Sequence, residues 1–231
     1  MNISKSFTQS YPNKFNNNRE QATRIVRRNI VDYLWKSVNF EGFNTTFPDT
    51  YCVFKGLVGS KLKVQEILII NNLKNAWSFL LDTLDYPVDL KLICEYNRIV
   101  GSDNLVHNAG FLRVLPVKIG GTSWTPSTPE EQALVGRLKE ALSSNSNVTT
   151  KAINIMLIIM RAQMFLDGNK RTAMMIANHL LVSEGAGVLS IPLEHQVEFK
   201  KLLIKFYETN DQQEIFDFTY TNCIDGIDFS K

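Results

Sequence analysis

The stretch from Thr149 to Val182 constrains the fold more than any other part of the chain. Up to Phe165, apolar residues occupy most faces of a helical repeat: Ile153, Ile155, Met156, Leu157, Ile158, Ile159 and Met160. A helix that is apolar all round has to be surrounded, so this one is expected to be the central buried helix. A tight polar turn, Asp167-Gly-Asn-Lys-Arg171, interrupts the pattern, and a second apolar helix from Arg171 to Val182 starts at once. Gly185-Ala-Gly187 stops it.

Elsewhere the pattern is also helical. Ile25, Val26, Ile30, Val31, Leu34 and Val38 place a helix over about Glu20–Phe40, punctuated by Gly42. Residues 43–59 read as a connector. A second helix is expected over about Lys61–Leu84, with Val64, Ile67, Leu68, Leu73, Trp77 and Leu81 inward, and a third from Pro87 to about Val100. Residues 101–128 are rich in Gly and Pro and hold two short β-like runs, Phe111–Leu115 and Val117–Ile119, which predict an exposed hairpin or flap. Thr128-Pro-Glu-Glu131 offers an N-cap, a Pro at the first helical position and a Glu three residues after the cap, so a helix should run from there to about Ser143. Two more are expected over about Leu193–Glu208 and Gln212–Cys223. The expectation is a mostly α fold: an Asn-rich flexible arm (1–18), an N-terminal helical region (19–84) and a helical core with a short hairpin (85–231).

Composition narrows the function classes. With 231 residues and a net charge of +2, the chain has no electrostatic bias toward nucleic acid or a membrane surface. The three cysteines, Cys52, Cys94 and Cys223, are far apart without metal-ligand spacing, which fits a reducing compartment. The first 18 residues hold no apolar core of a signal peptide, and the longest apolar run is too short to span a bilayer. A cytoplasmic location is the expectation.

The turn at 167–171 carries the chemistry. A glycine turn feeding a helix N-terminus exposes unsatisfied N–H groups and the positive end of the helix dipole, which together suit an anion. Lys170 and Arg171 add positive charge, and Asp167 offers a hard oxygen suited to Mg²⁺. The same residues also make a good generic helix connector. A second feature lies at Ser37-Val-Asn-Phe-Glu41-Gly42. Ser37 and Glu41 share one helix face, and Glu41 occupies a last turn where the dipole disfavours a carboxylate by about 0.3–1 kcal/mol. Taken alone, these residues are better explained as a solvated Glu before a glycine cap.

Together these segments resemble the Fic-domain (Fic/Doc, or Fido) superfamily, whose signature is His-x-Phe-x-Asp/Glu-Gly-Asn-Gly/Lys-Arg. Phe165, Asp167, Gly168, Asn169, Lys170 and Arg171 match it in order and spacing. The Ser37–Gly42 segment resembles the family's inhibitory-helix motif, Ser/Thr-x-x-x-Glu-Gly/Asn. Gly110-Phe-Leu-Arg113 with Pro116-Val-Lys-Ile-Gly-Gly121 resembles its target-docking flap. The resemblance implies a Fic fold and transfer of AMP from Mg-ATP to a hydroxyl of a protein. Phe165 would anchor the loop. Asp167 would hold Mg²⁺. Gly168, Asn169 and Lys170 would cradle phosphates, Arg171 would pair with the β-phosphate, and Asn178 would lie near the nucleoside. Ser37, Glu41 and Gly42 would form the inhibitory element. Gly110, Arg113, Val117, Ile119 and Gly120 would dock an extended segment of a target protein. Self-association is left open.

The chain departs from the signature at two positions. Gln163 stands where the family has its catalytic His. A carboxamide has no accessible protonation equilibrium, and losing a general base typically lowers rate by about 10²–10⁴. None of His107, His179 and His195 is an obvious replacement. Met174 stands where AMP-transferring relatives usually carry a second Arg that binds the γ-phosphate and pairs with the inhibitory Glu. The expected function is therefore a weak or inactive protein adenylyltransferase. The alternatives are a non-catalytic nucleotide-binding or interaction module, Doc-like phosphoryl transfer (suggested by Lys170), and AMP removal with Glu41 as base.

Overall fold

The computed structural model describes residues 11–57 and 61–229. They form helices α1 (Arg19–Phe40), α2 (Phe47–Lys55), α3 (Val64–Asp82), α4 (Leu90–Val100), α5 (Glu131–Ser143), α6 (Val148–Ala162), α7 (Asn169–Ser183), α8 (Gln196–Thr209) and α9 (Gln213–Asn222). A short 3₁₀ turn at Leu193–His195 leads into α8. The fold is mostly α, as the periodicity predicts.

α6 is the central helix. Ala152, Ile153, Ile155, Met156, Leu157, Ile159 and Met160 are all fully buried, and α7, whose Ala173, Ile176, Ala177 and Leu181 are equally buried, packs along it. Asn147 caps α6 by accepting from Thr150 N–H, so the helix starts at Val148, one residue before the expected Thr149. α1, α3 and α4 also lie against α7, while α5 and α9 pack on α6. Among the described residues no helix is long and apolar enough to cross a membrane.

Several expectations are corrected. The connector at 43–59 contains α2. Thr46 accepts from Asp49 N–H, Pro48 sits in the first turn, and Gly56 closes the helix in the left-handed region at φ 68°. In α3 the buried face is Glu66, Ile69, Ile70, Asn72, Leu73, Ala76, Trp77 and Leu80; Val64 is exposed and Ile67, Leu68 and Leu81 are half-buried. The run Ile67–Ile70 offers apolar side chains in every register, so the pattern alone could not phase it. α5 begins at Glu131 without a side-chain cap, and Thr128 plays no capping part.

The expected hairpin at 111–119 does not pair as strands. The strand pair among the described residues is instead β1 (Val188–Leu189) with β2 (Ile224–Asp225), antiparallel. The expected arm 1–18 is also corrected in its described part; residues 1–10 lie outside the described residues. Tyr11 is buried against Phe216 and Tyr220, with its hydroxyl on Asp217. Asn13 Oδ1 accepts from Thr149 N and Oγ1 at the head of α6, and Asn17 N–H donates to Gly185 O. Polar side chains here fasten the segment because they satisfy helix ends.

Candidate nucleotide site

The site is built on the turn between α6 and α7. α6 ends because Gln163 adopts a left-handed conformation (φ 45°, ψ 60°). Met164 and Phe165 then drop into the core, both fully buried. The Asn169 side chain closes the loop from inside. Its Oδ1 accepts from Phe165 N–H, and its Nδ2 donates to Phe165 O and to Gln163 Oε1. Asn169 thus holds the turn in shape, and its buried carboxamide is not free to cradle an anion.

Gly168 occupies φ 77°, and a Cβ there would come within 3.1 Å of Asn97 Nδ2, so the position requires glycine. Asn97 is fully buried on α4. It donates to Asp167 O and Thr172 Oγ1 and accepts from Gly110 N–H, tying the turn to the preceding helix. Gly168 offers no side-chain cap, so the first N–H groups of α7 lack an acceptor within the helix.

Charged groups surround that helix end. Arg171 is buried, and Nη1 donates to Val100 O at 2.9 Å. Its Nη2 lies 3.7 Å from Asp167 Oδ2, and its Nε lies 3.7 Å from Glu41 Oε2. Lys170 Nζ lies 3.7 Å from Glu41 Oε1. Arg171 Nε and Glu41 Oε1 are buried without a hydrogen-bond partner. Glu41 reaches this point because it terminates α1 directly before Gly42, which turns at φ 96°. Ser37, one turn back, is half-buried and receives Glu41 N–H on its carbonyl. Glu41 therefore meets Arg171 and Lys170, although position 174 is a buried Met.

Gln163 faces the same cavity. Its Nε2 donates to Met160 O at 2.6 Å and reaches Tyr207 Oη at 3.4 Å, and its Oε1 accepts from Asn169. Burial pushes the Tyr207 phenol well above its usual pKa, and the Glu41 charge adds to this. Neither group can accept a proton near neutral pH. The cavity holds about 300 Å³ and is closed on one side by Val117, Ile119 and Gly120. A second groove, of about 580 Å³ between α4 and residues 109–111, contains none of residues 163–171.

The flap residues separate into different roles. Arg113 is buried, not displayed. Its guanidinium donates to the carbonyls of Gln163, Leu115, Pro126 and Ser127, and its N–H donates to Met164 O. These bonds fold 113–127 around one side chain, which is why no hairpin forms. Gly110 packs against Arg98 and lines the second groove. Farther along, Trp124 stacks on Tyr207 and under Arg161, fixing the other end of the segment. Phe111, Val114 and Leu115 remain exposed.

Asn178 lies away from the site. Its carboxamide accepts from Leu189 N–H at 2.6 Å and donates to Leu189 O at 3.0 Å, completing the outer edge of β1. It is buried, with both ends of its carboxamide engaged by Leu189. His179 is equally internal. Nε2 donates to Tyr86 O, so Nδ1 accepts from Tyr96 Oη, and burial lowers its pKa. His107 is exposed on the loop after α4, and His195 stacks edge-on against Phe218.

Residues 87–181 match the Fic/DOC family model. The matched segment runs from the approach to α4 through most of α7. No curated protein matches the sequence. Among solved structures, Fic-1 from C. elegans is similar at TM-score 0.71 and 19% identity, covering 88% of this chain and 66% of that one. A Fic domain containing signaling protein from Bacteroides thetaiotaomicron gives TM-score 0.69 at 17% identity, with 87% and 84% covered. A Fic family protein from Desulfovibrio desulfuricans gives 0.71 at 15%, with 86% and 63% covered. At these identities the likeness is one of fold. It reaches beyond residues 87–181 to most of the chain, which spans just under two thirds of the length of the C. elegans structure.

Asp167 fits one kind of metal role. Its carboxylate is exposed, with Oδ1 on Gly168 N–H and Oδ2 near Arg171. Among the described residues no group of three or more His, Cys, Asp and Glu converges to hold an ion. A single carboxylate suits Mg²⁺ that keeps waters and takes its remaining ligands from a bound polyphosphate.

Sequence reasoning missed Asn97, Tyr207 and Lys200. Asn97 had a faint signal, as a polar residue on the apolar face of α4. Tyr207 and Lys200 come from α8, distant in sequence, and had none.

Proposed function

We propose that this protein binds a magnesium-bound nucleoside triphosphate, with ATP as the expected one, at the N-terminus of α7, and transfers AMP to a protein hydroxyl slowly or not at all. The observation that supports this is the uncapped α7 terminus flanked by Lys170 and Arg171, with Gln163 tied up beside it.

In the transfer, a target hydroxyl oxygen bonds to the α-phosphorus and the bond to pyrophosphate breaks. The N–H groups of Asn169 and Lys170 and the Arg171 guanidinium would oppose the charge on the phosphates. Asp167 would hold Mg²⁺, which when bound neutralises charge on the departing pyrophosphate. The hydroxyl proton needs an acceptor. Gln163 can orient a hydroxyl but cannot take its proton, and the raised Tyr207 phenol cannot either. Glu41 occupies the cations a phosphate would use, so it would compete with the nucleotide. The exposed Val114 and Leu115, next to the Arg113 that bonds Gln163 O, are the surface on which a target segment would dock.

The test is intact-protein mass spectrometry with pyrophosphate release after incubation with Mg-ATP. Gln163→His combined with Glu41→Gly is expected to gain an AMP adduct and release pyrophosphate, with little or none from the wild type. Equal adduct formation by the wild type would show that another group accepts the proton. A double variant that binds ATP and releases nothing would remove transfer from the reading.

A further inference from the structure

The cation inventory of the cavity exceeds what α7 supplies. Lys200, on α8, lines the same cavity as Lys170, Asp167 and Glu41. Its ammonium lies 5.2 Å from the Phe40 ring centroid, and that of Lys170 lies 5.8 Å from the same ring. The two amines are near enough for Lys170 to disfavour the charged form of Lys200, after burial, which disfavours it most; Glu41 offsets part of this. Lys200 makes no hydrogen bond or ion pair with any described residue, whereas nearby Lys201 and Lys205 each pair with a glutamate. Lys118, Lys170 and Lys200 thus line the cavity with Glu41 and the exposed Asp167 as its two carboxylates, and the buried Arg171 meets it through Glu41.

Such an arrangement is electrostatically incomplete. Two like charges are held together at a half-buried position, and the buried Arg171 Nε has no acceptor. A multiply charged anion relieves both conditions at once.

We propose that Lys200 is the second polyphosphate-binding cation of this site, gripping with Lys170 the end of the phosphate chain that α7 alone does not reach. This rests on the nucleotide-binding reading above. Selectivity for a triphosphate over a monophosphate then comes from α8, outside the segment that matches the family model.

Calorimetric titration of the full chain with Mg-ATP and with AMP tests this. Lys200→Met keeps the length and apolar stem of the side chain and removes the charge. It is expected to weaken Mg-ATP binding about ten- to a hundredfold, as for a lost charge-assisted contact, while AMP affinity is unchanged. Lys200→Arg is expected to retain most of the ATP affinity. An unchanged ATP affinity in Lys200→Met would overturn the proposal, as would equal losses for ATP and AMP, which mark a structural role. Absence of binding of either nucleotide in both the wild type and Glu41→Gly would overturn the nucleotide-binding reading itself, and this assignment with it.

Discussion

The Glu41 carboxylate stands 3.7 Å from Arg171 Nε, both largely buried, and no hydrogen bond joins them. An ion pair at this distance has the charge attraction but not the directional bond that makes buried pairs strong. A ligand phosphate could offer Arg171 the bond that Glu41 does not. The contact joins the end of α1 to the start of α7, so an N-terminal helix bears directly on the proposed anion site.

Gly168 is the position where the turn tolerates least change. At φ 77°, with Asn97 Nδ2 and Val100 Cγ2 within contact range of a new Cβ, Gly168→Ala should cost about 1–3 kcal/mol. Because Asn97 must shift, nucleotide affinity should fall as well. Urea denaturation and nucleotide titration of the same variant measure both effects.

Arg113 organises residues 113–127 through carbonyls rather than through a carboxylate. Arg113→Ala leaves those acceptors unpaired and should cost about 2–4 kcal/mol. Arg113→Lys should recover only part of this, since an ammonium cannot reproduce the fork. Equal stability of Arg113→Lys and the wild type by urea denaturation would contradict the geometry described.

Asn178 separates the family expectation from the observed structure. Asn178→Ala removes both hydrogen bonds to Leu189 and should lower stability by about 1–3 kcal/mol, with nucleotide affinity unchanged. A large loss of affinity at full stability would return Asn178 to the nucleoside site.

His179 makes stability depend on pH. Its folded pKa is lowered by burial, so as pH falls through about 6.5 the unfolded chain takes up a proton that the folded chain does not. The unfolded state then binds more protons, and stability falls. Melting temperature should drop between pH 7.5 and 5.5, and the drop should be smaller in His179→Gln. An identical pH slope in the two proteins would remove His179 as its source.

The sequence was most legible where one apolar pattern admitted one reading. α6 and α7 carry a polar turn of fixed spacing between two apolar helices, and the structure places Phe165, Gly168 and Arg171 where those residue types direct. α3 was misphased because its apolar run fills several faces. α2 was overlooked although Thr46, Pro48 and Gly56 mark both its ends; its nine residues are too few for periodicity to speak. The flap departs from expectation because Arg113, expected to help dock a target segment, is buried. Only the fold brings four backbone carbonyls to it. The site residues from α8 were invisible for the same reason: Lys200 and Tyr207 reach the cavity through tertiary packing, and nothing beside them in sequence announces it.

The central claim is that the start of α7 is an anion site which Glu41 obstructs. Calorimetric titration of the wild type and Glu41→Gly with Mg-ATP tests it most directly. The account predicts binding in Glu41→Gly at least about tenfold tighter than in the wild type, since one carboxylate leaves two cations free. Absence of binding in both proteins, or equal affinity in the two, would contradict it.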